Sequence, residues 1–271
     1  MQTKLAETAG FCFGVDRAVA LVEQAVREGK RVATLGPIIH NRHVIERFKT
    51  LGVREIAAPE EAAAGECVVI RSHGVSRAVM EALEKMGVEI VDATCPFVKK
   101  IHRIISAAAE NGQQPVIIGT RAHPEVQAIA GWCSAPLVFE SPEEFASWLA
   151  DDAKRTEIPI RMVCQTTSTQ NLWKKTCEIA KKECTNCEIF DTICKATEMR
   201  QKEATTLAKQ CDAMVVVGDA RSSNTGRLAD ICRQYCKHVA LVDSAAELDM
   251  LLLSNAKTVG ITAGASTPAW I

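Results

Sequence analysis

Three times along the chain a short apolar, strand-like run ends in a cysteine and passes into a segment with helical periodicity. ETAGFC leads into FGVDRAVALVEQAVREGK, VEIVDATC into PFVKKIHRIISAAAENG, and CEIFDTIC into KATEMRQKEATTLAKQ, placing Cys12, Cys95 and Cys194 at three strand-to-helix junctions. Apolar residues recurring at i, i+3 and i+4 predict each helix, and the short apolar runs before them predict strands. After each helix comes a β-type run ending in glycine: Gly36, Gly119 and Gly218, each 24 residues beyond its cysteine. A polar residue follows at His40, His123 and Ser222, each 28 residues beyond. Further helical patterns (HVIERFKTLG, PEVQAIAGW, TGRLADICRQYC) precede REIAAPEE, LVFESPEE and ALVDSAAE, which read as strand, loop and helix start. In the last two, Ser141 and Ser244 open Ser-x-x-Glu capping boxes. A final strand in each unit ends in a polar cluster: CVVIRSHGVS, IRMVCQTTST and TVGITAGAST.

Self-similarity at this level is the signature of a repeated structural unit. Alternating strand and helix implies right-handed crossovers and parallel sheets. The expected fold is therefore α/β, with three pseudo-symmetric modules over residues 1–94, 95–193 and 194–271. Whether each cysteine-bearing strand joins the module before or after it is left open by the pattern. In open parallel sheets ligands bind beyond the carboxyl ends of the strands. Every cysteine, every residue 28 positions on and every terminal cluster lies at such an end, so three equivalent edges are aimed at one shared place.

Length and composition narrow the setting. The chain has 271 residues, 47% of them hydrophobic, enough for two or three cores. A net charge of −1 gives no basic footprint for nucleic acid. Apolar runs such as MVVV are far too short to span a bilayer, and the first residues lack the apolar stretch of a signal peptide. A cytoplasmic protein without nucleic-acid or membrane partners is expected. In a reducing compartment, twelve cysteines imply packing, redox chemistry or metal rather than a disulfide framework.

A pseudo-threefold trio of thiolates suits a cubane iron–sulfur cluster, which has a threefold axis through one iron and the opposite sulfur. Cys12, Cys95 and Cys194 would bind three irons, leaving the fourth without a protein ligand and open to substrate. Clusters held wholly by protein usually take four cysteines, so three points to Lewis-acid chemistry. The plainer alternative is that these are small core residues, as buried cysteines often are. The one Cys-x-x-Cys, Cys184 and Cys187, has no partner pair at zinc spacing. Around the trio, His40, His73, His123, Thr166 or Thr167, Ser222, Ser223, Asn224 and Ser266 come from different units but share one face. Nearly all precede helix starts, whose free N–H groups favour anions such as phosphate. Glu125, two residues after His123, is the candidate proton source; its alternative is a first-turn glutamate favoured by the helix dipole.

GFCFGVDRAV, LGPIIHN, RSHGVS, DATCPFV, AHPEV, QTTST, TICKAT with RQ, SSNT and GASTP together resemble the 4-hydroxy-3-methylbut-2-enyl diphosphate reductases, from about residue 10 to 270. The resemblance implies three α/β modules around one 4Fe-4S cluster held by Cys12, Cys95 and Cys194 with one open iron. It implies that His40, His73, Ser222, Asn224 and Ser266 hold a diphosphate, that Thr166 orients the substrate, and that Glu125 with His123 relays protons. The substrate would be an allylic diphosphate, reduced and dehydrated to isopentenyl or dimethylallyl diphosphate with electrons from ferredoxin or flavodoxin. The family has an acidic residue after Ser-Thr-Pro and a further helix; this sequence reads GASTPAWI and stops, so that helix is expected to be truncated. Two rivals follow from the same residues. An iron–sulfur hydro-lyase on another phosphorylated alcohol would need no external electrons, and an iron–sulfur sensor or zinc protein would be indifferent to loss of the Glu125 carboxyl.

Overall fold

The strands RVATL, ECVVI, QPVII, IRMVC and AMVVV are apolar at odd and even positions alike, so sheets made from them must be covered on both faces. The computed structural model, which describes residues 1–271, meets that requirement three times. The chain begins with β1 (Gln2–Leu5) and α1 (Phe13–Arg27), then runs β2 (Arg31–Leu35), α2 (Arg42–Thr50), β3 (Arg54–Ile56), β4 (Glu66–Ile70), α3 (Arg77–Met86) and β5 (Glu89–Asp92). It continues through α4 (Pro96–Glu110), β6 (Gln114–Ile118), α5 (Pro124–Ala130), β7 (Leu137–Phe139), α6 (Pro142–Ala150), β8 (Ile160–Cys164), α7 (Gln170–Glu183) and β9 (Cys187–Ile189). The last part is α8 (Lys195–Gln210), β10 (Ala213–Val217), α9 (Ser223–Tyr235), β11 (His238–Val242) and β12 (Thr258–Ala263).

The three sheets have the orders β3-β2-β4-β5, β7-β6-β8-β9 and β11-β10-β12-β1, with every pairing parallel. The orders are identical once β1 takes the place of β5 and β9. Strand alternation divides each sheet's core in two. In the first, Val32, Cys67 and Val69 pack with α1 and α2, while Ala33, Leu35, Val68 and Ile70 pack with α3. In the second, Val116 and Ile118 face one cluster and Ile117 the other. In the third, Met214 and Val216 are separated from Ala213 and Val215 in the same way. Cys67, Cys164, Cys211, Cys232 and Cys236 are buried in these cores.

One expected boundary needs correction. The strand ahead of Cys12 does not belong to a first module of residues 1–94: Gln2–Leu5 pairs with Thr258–Ile261 and completes the third sheet. Each cysteine-bearing strand is thus the outer strand of one sheet, and the chain closes into a ring of modules through β1. A second correction concerns the capping boxes. Ser141 Oγ accepts the Glu144 N–H at 3.2 Å, but Ser244 makes no side-chain cap, because only a single 3₁₀ turn, Ala245–Glu247, follows it. What all three units share instead is the glutamate: Glu61, Glu144 and Glu247 accept the N–H of Ala57, Glu140 and Asp243 at 3.1, 3.0 and 2.9 Å. The segment after β12 forms turns and no helix.

Candidate active site

Helix starts need acceptors for their free N–H groups, and side-chain caps are worth about 1 kcal/mol each. Six helices here have one: Asn41, Ser76, His123, Ser141, Thr169 and Ser222 cap α2, α3, α5, α6, α7 and α9. The remaining three, α1, α4 and α8, begin at Cys12, Cys95 and Cys194 with no side-chain cap bond. Backbone geometry fixes these cysteines equivalently. Their N–H groups donate to the carbonyls of Ala265, Ser72 and Thr166 at 3.1, 3.0 and 3.0 Å, each carbonyl lying just past the neighbouring strand. All three thiols are free and line one cavity of about 740 Å³, counting space continuous with solvent.

The donor set fits an iron–sulfur cluster. Three thiols from three helix N-termini meet in one cavity, and the positive ends of the helix dipoles favour the thiolate form that binds metal. Burial works against that charge, pushing Cys95 up to about 11 despite the opposing N–H groups of Phe97 and Val98, and raising Cys194 likewise. Metal entry must therefore displace thiol protons. Gly14 makes room for the cradle: a Cβ there would lie 2.6 Å from Cys95 Sγ. Gly14→Ala is expected to lower the iron content of the anaerobically assembled protein while leaving its circular dichroism unchanged; full iron content would show that Cys95 is not held where the cradle requires.

Beside the thiols, Pro124 starts α5 and directs Glu125 inward, where it is only 3% exposed. Thr166 clasps the carboxylate twice, its N–H to Oε1 and its Oγ1 to Oε2, both at 2.6 Å. Because the Thr166 carbonyl also accepts the Cys194 N–H, carboxylate and thiol are joined through one residue. Burial raises the Glu125 pKa, and the two Thr166 bonds only partly oppose it. His123, which lines the same cavity, accepts the Glu125 N–H on Nδ1 at 3.1 Å, so the neutral ring carries its proton on Nε2.

The remaining wall is rich in neutral donors. Ser222 begins α9 in line with Ser223 and Asn224; Ser266 Oγ donates to the His40 carbonyl at 3.0 Å. Thr167 Oγ1 and Ser223 Oγ are 2.9 Å apart. Asn224 is 4% exposed, yet neither amide atom has a partner. Buried polar atoms are almost always paired, so this amide keeps its donor and acceptor free on the cavity wall. Burial lowers the pKa of all three histidines: His40, His73 well below the ordinary value, and His123 to about 4. They are neutral at pH 7. A group with a depressed folded pKa costs nothing above the unfolded value, about 6.5 for histidine, and destabilises as pH falls towards the folded value. Folding stability measured by denaturant is therefore expected to drop between about pH 6.5 and 4, and to drop less in His123→Asn; an equal drop would remove His123 as a source.

The residues expected to serve the cluster, the diphosphate and proton transfer all line this cavity: Cys12, Cys95, Cys194, His40, His73, His123, Glu125, Thr166, Thr167, Ser222, Ser223, Asn224 and Ser266. Cys184 and Cys187 do not; they pack against the second module's core. Gln165 and Arg200 stand in the motifs QTTST and RQ, which assigned them no role. Gln165, fully buried, accepts the Thr120 N–H at 3.1 Å and donates to Thr167 Oγ1 at 2.8 Å, tying two strand-end loops together. Arg200 is 6% exposed, donates to the Gly10 carbonyl at 2.8 Å and lies near Cys12 and Cys194. A signal for Arg200 existed in the repeat. It stands six residues after its cysteine, where the other units have the buried apolar Ala18 and Ile101.

The model of the LytB protein family matches residues 3–271. The chain is 39% identical over its whole length to the 4-hydroxy-3-methylbut-2-enyl diphosphate reductase of Thermoanaerobacter sp. (strain X514), covering 94% of it. It is 38% identical to that of Alkaliphilus oremlandii (strain OhILAs), again over the whole chain, covering 96% of the relative. Among solved structures it is similar to an (E)-4-hydroxy-3-methyl-but-2-enyl diphosphate reductase described as the terminal enzyme of the non-mevalonate pathway. That match has 37% identity, a TM-score of 0.72, and covers 100% of this chain and 96% of that one. The Plasmodium falciparum E-1-hydroxy-2-methyl-but-2-enyl-4-diphosphate reductase matches at 25% identity and a TM-score of 0.90, over 99% of this chain and 85% of that one.

Proposed function

This chain belongs to the LytB protein family, and on that footing we propose that it reduces and dehydrates (E)-4-hydroxy-3-methylbut-2-enyl diphosphate to isopentenyl and dimethylallyl diphosphate, the last step of the non-mevalonate route. The observation that carries the reading is the meeting, in one cavity, of three uncapped cysteines, a buried glutamate and an unpartnered ring of anion-binding donors.

Cys12, Cys95 and Cys194 would hold one 4Fe-4S cluster, which would supply single electrons and Lewis-acid chemistry. Overall the substrate takes up two electrons and two protons, the carbon–oxygen bond breaks, and water leaves. The diphosphate is held by His40, His73, Ser222, Ser223, Asn224 and Ser266, neutral donors at the strand ends and at the start of α9, whose dipole favours the anion. Thr166, whose Oγ1 donates to the Glu125 carboxyl and which lines the same cavity, orients the substrate hydroxyl. Glu125, whose burial keeps its proton to higher pH than an ordinary glutamate, delivers protons with His123. The Glu125 carboxyl, only 3% exposed, is shielded from bulk water.

Electrons come from a small carrier, ferredoxin or flavodoxin. No helix is long and apolar enough to cross a membrane. With cluster-loaded protein under anaerobic conditions and a reduced low-potential dye, two electrons are expected to be consumed for each substrate converted. Product formation without dye oxidation would mean a hydro-lyase instead.

A further inference from the structure

A guanidinium withdrawn from water is costly unless an opposite charge faces it. Arg200, on α8, is 6% exposed, and no other Lys or Arg is buried to that degree. Its hydrogen-bond partners are neutral. Nη1 donates to the Ala196 carbonyl at 3.1 Å and Nη2 to the Gly10 carbonyl at 2.8 Å, while Nε is buried with no partner. The carboxylate one turn further along α8 is engaged elsewhere: Glu203 accepts the N–H of Glu7 at 2.6 Å and of Thr8 at 3.0 Å, together with the Thr8 hydroxyl. Arg200 therefore carries a buried positive charge with no carboxylate bonded to it.

The two carbonyls it holds show where that charge is placed. Ala196 stands two residues after Cys194 and Gly10 two residues before Cys12, so the guanidinium bridges two of the three thiol-bearing turns. Apart from Glu203, the negative groups it feels are the thiols of Cys12 and Cys194. Arg17 makes a comparable bridge to the Asp92 and Thr94 carbonyls ahead of Cys95, both at 3.3 Å, but it is only half-buried and its charge is screened by solvent. The third unit alone sets a full, dry charge beside the cavity.

We propose that Arg200 is the counter-charge of the Cys12 and Cys194 thiolates and sets the potential at which the cluster they hold accepts an electron. Thiols bind metal as thiolates, and each electron added deepens the negative charge of the group. Arginine stays protonated, and in a dry interior its attraction for that charge exceeds what it would be in water. The reduced state thus gains more from Arg200 than the oxidised state does. Arg200 reaches neither the substrate wall nor Glu125; it acts through the two cysteines, as a positioning residue. This inference rests on the cluster reading given above.

The test is an anaerobic potentiometric titration, followed by electron paramagnetic resonance, of the cluster-loaded protein and its variants. Arg200→Gln should shift the reduction equilibrium about tenfold toward the oxidised form, a fall of about 59 mV for one electron. Arg200→Lys keeps the charge and loses the planar fork, so its equilibrium should stay within about twofold of the parent. Thr8→Ala removes a neutral contact from the same α8 clamp and should leave the potential in place. Iron content after anaerobic assembly gives a second readout: a cluster lost from Arg200→Gln but kept by Arg200→Lys also supports the charge. An unchanged potential in Arg200→Gln, an equal fall in Thr8→Ala, or equal loss of iron from both Arg200 variants overturns it. A parent that assembles no iron removes the cluster reading and this inference together. A parent with its cluster whose potential is indifferent to Arg200→Gln removes this inference alone.

Discussion

Glu125→Gln is expected to lower turnover by about 100- to 10,000-fold, the usual contribution of a positioned proton donor, while affinity for pyrophosphate and iron content stay within a few-fold of the parent. The substitution keeps the shape of the clasp. The amide oxygen of the new side chain would still accept the Thr166 N–H now held at 2.6 Å, and its NH₂ can donate to Thr166 Oγ1 in place of the present bond. What disappears is the titratable proton. Because burial raises the Glu125 pKa, the parent's activity should decline on the alkaline side as the carboxyl loses its proton, and that limb should be missing from the residual activity of the variant. Steady-state kcat against pH, with pyrophosphate affinity alongside, separates this from a packing defect, which would weaken binding and iron content together. Normal turnover would remove the carboxyl from the reaction.

Cys12→Ser, Cys95→Ser and Cys194→Ser are each expected to lose the bound cluster and all measurable reductase activity, whereas Cys184→Ser and Cys187→Ser keep both. The contrast rests on position. The first three start α1, α4 and α8 with no capping bond and face one cavity; the second pair packs against the core of the β7-β6-β8-β9 sheet. Serine is a common helix cap, so each ligand variant should fold at least as well as the parent without its cluster, and circular dichroism should show it. Iron and sulfide content measured after anaerobic assembly reads the effect directly. Equal loss from Cys184→Ser would contradict the assignment.

Much of this arrangement is legible in the sequence because the repeat states it three times. A constant 24 and 28 residues from each cysteine fix which glycine ends a strand and which polar residue stands at its end. Period and spacing are local properties, and the parallel sheets follow from them. Pairing partners are not local. β1 is four residues long, three of them exposed and Lys4 half-buried, so it carries no buried face from which its neighbour could be read; its place beside β12 follows from the ring the modules make. Ser244 illustrates another limit: a capping motif works only if a helix follows, and there the chain makes one 3₁₀ turn. Gln165 and Arg200 were hidden for different reasons. Gln165 sits within a polar cluster whose threonines carry the more obvious chemistry. Arg200 stands in the RQ motif without a role, and its departure from the apolar register of Ala18 and Ile101 means nothing until the helices are seen to converge.

The convergence of three thiols on a cluster with one iron free of protein sulfur is tested most directly by iron and sulfide counting of the anaerobic protein together with its Mössbauer spectrum. Four irons and four sulfides per chain are expected, with three irons sharing one signature and the fourth distinct. Four equivalent irons, or a protein that takes up no iron with all three cysteines intact, would contradict it.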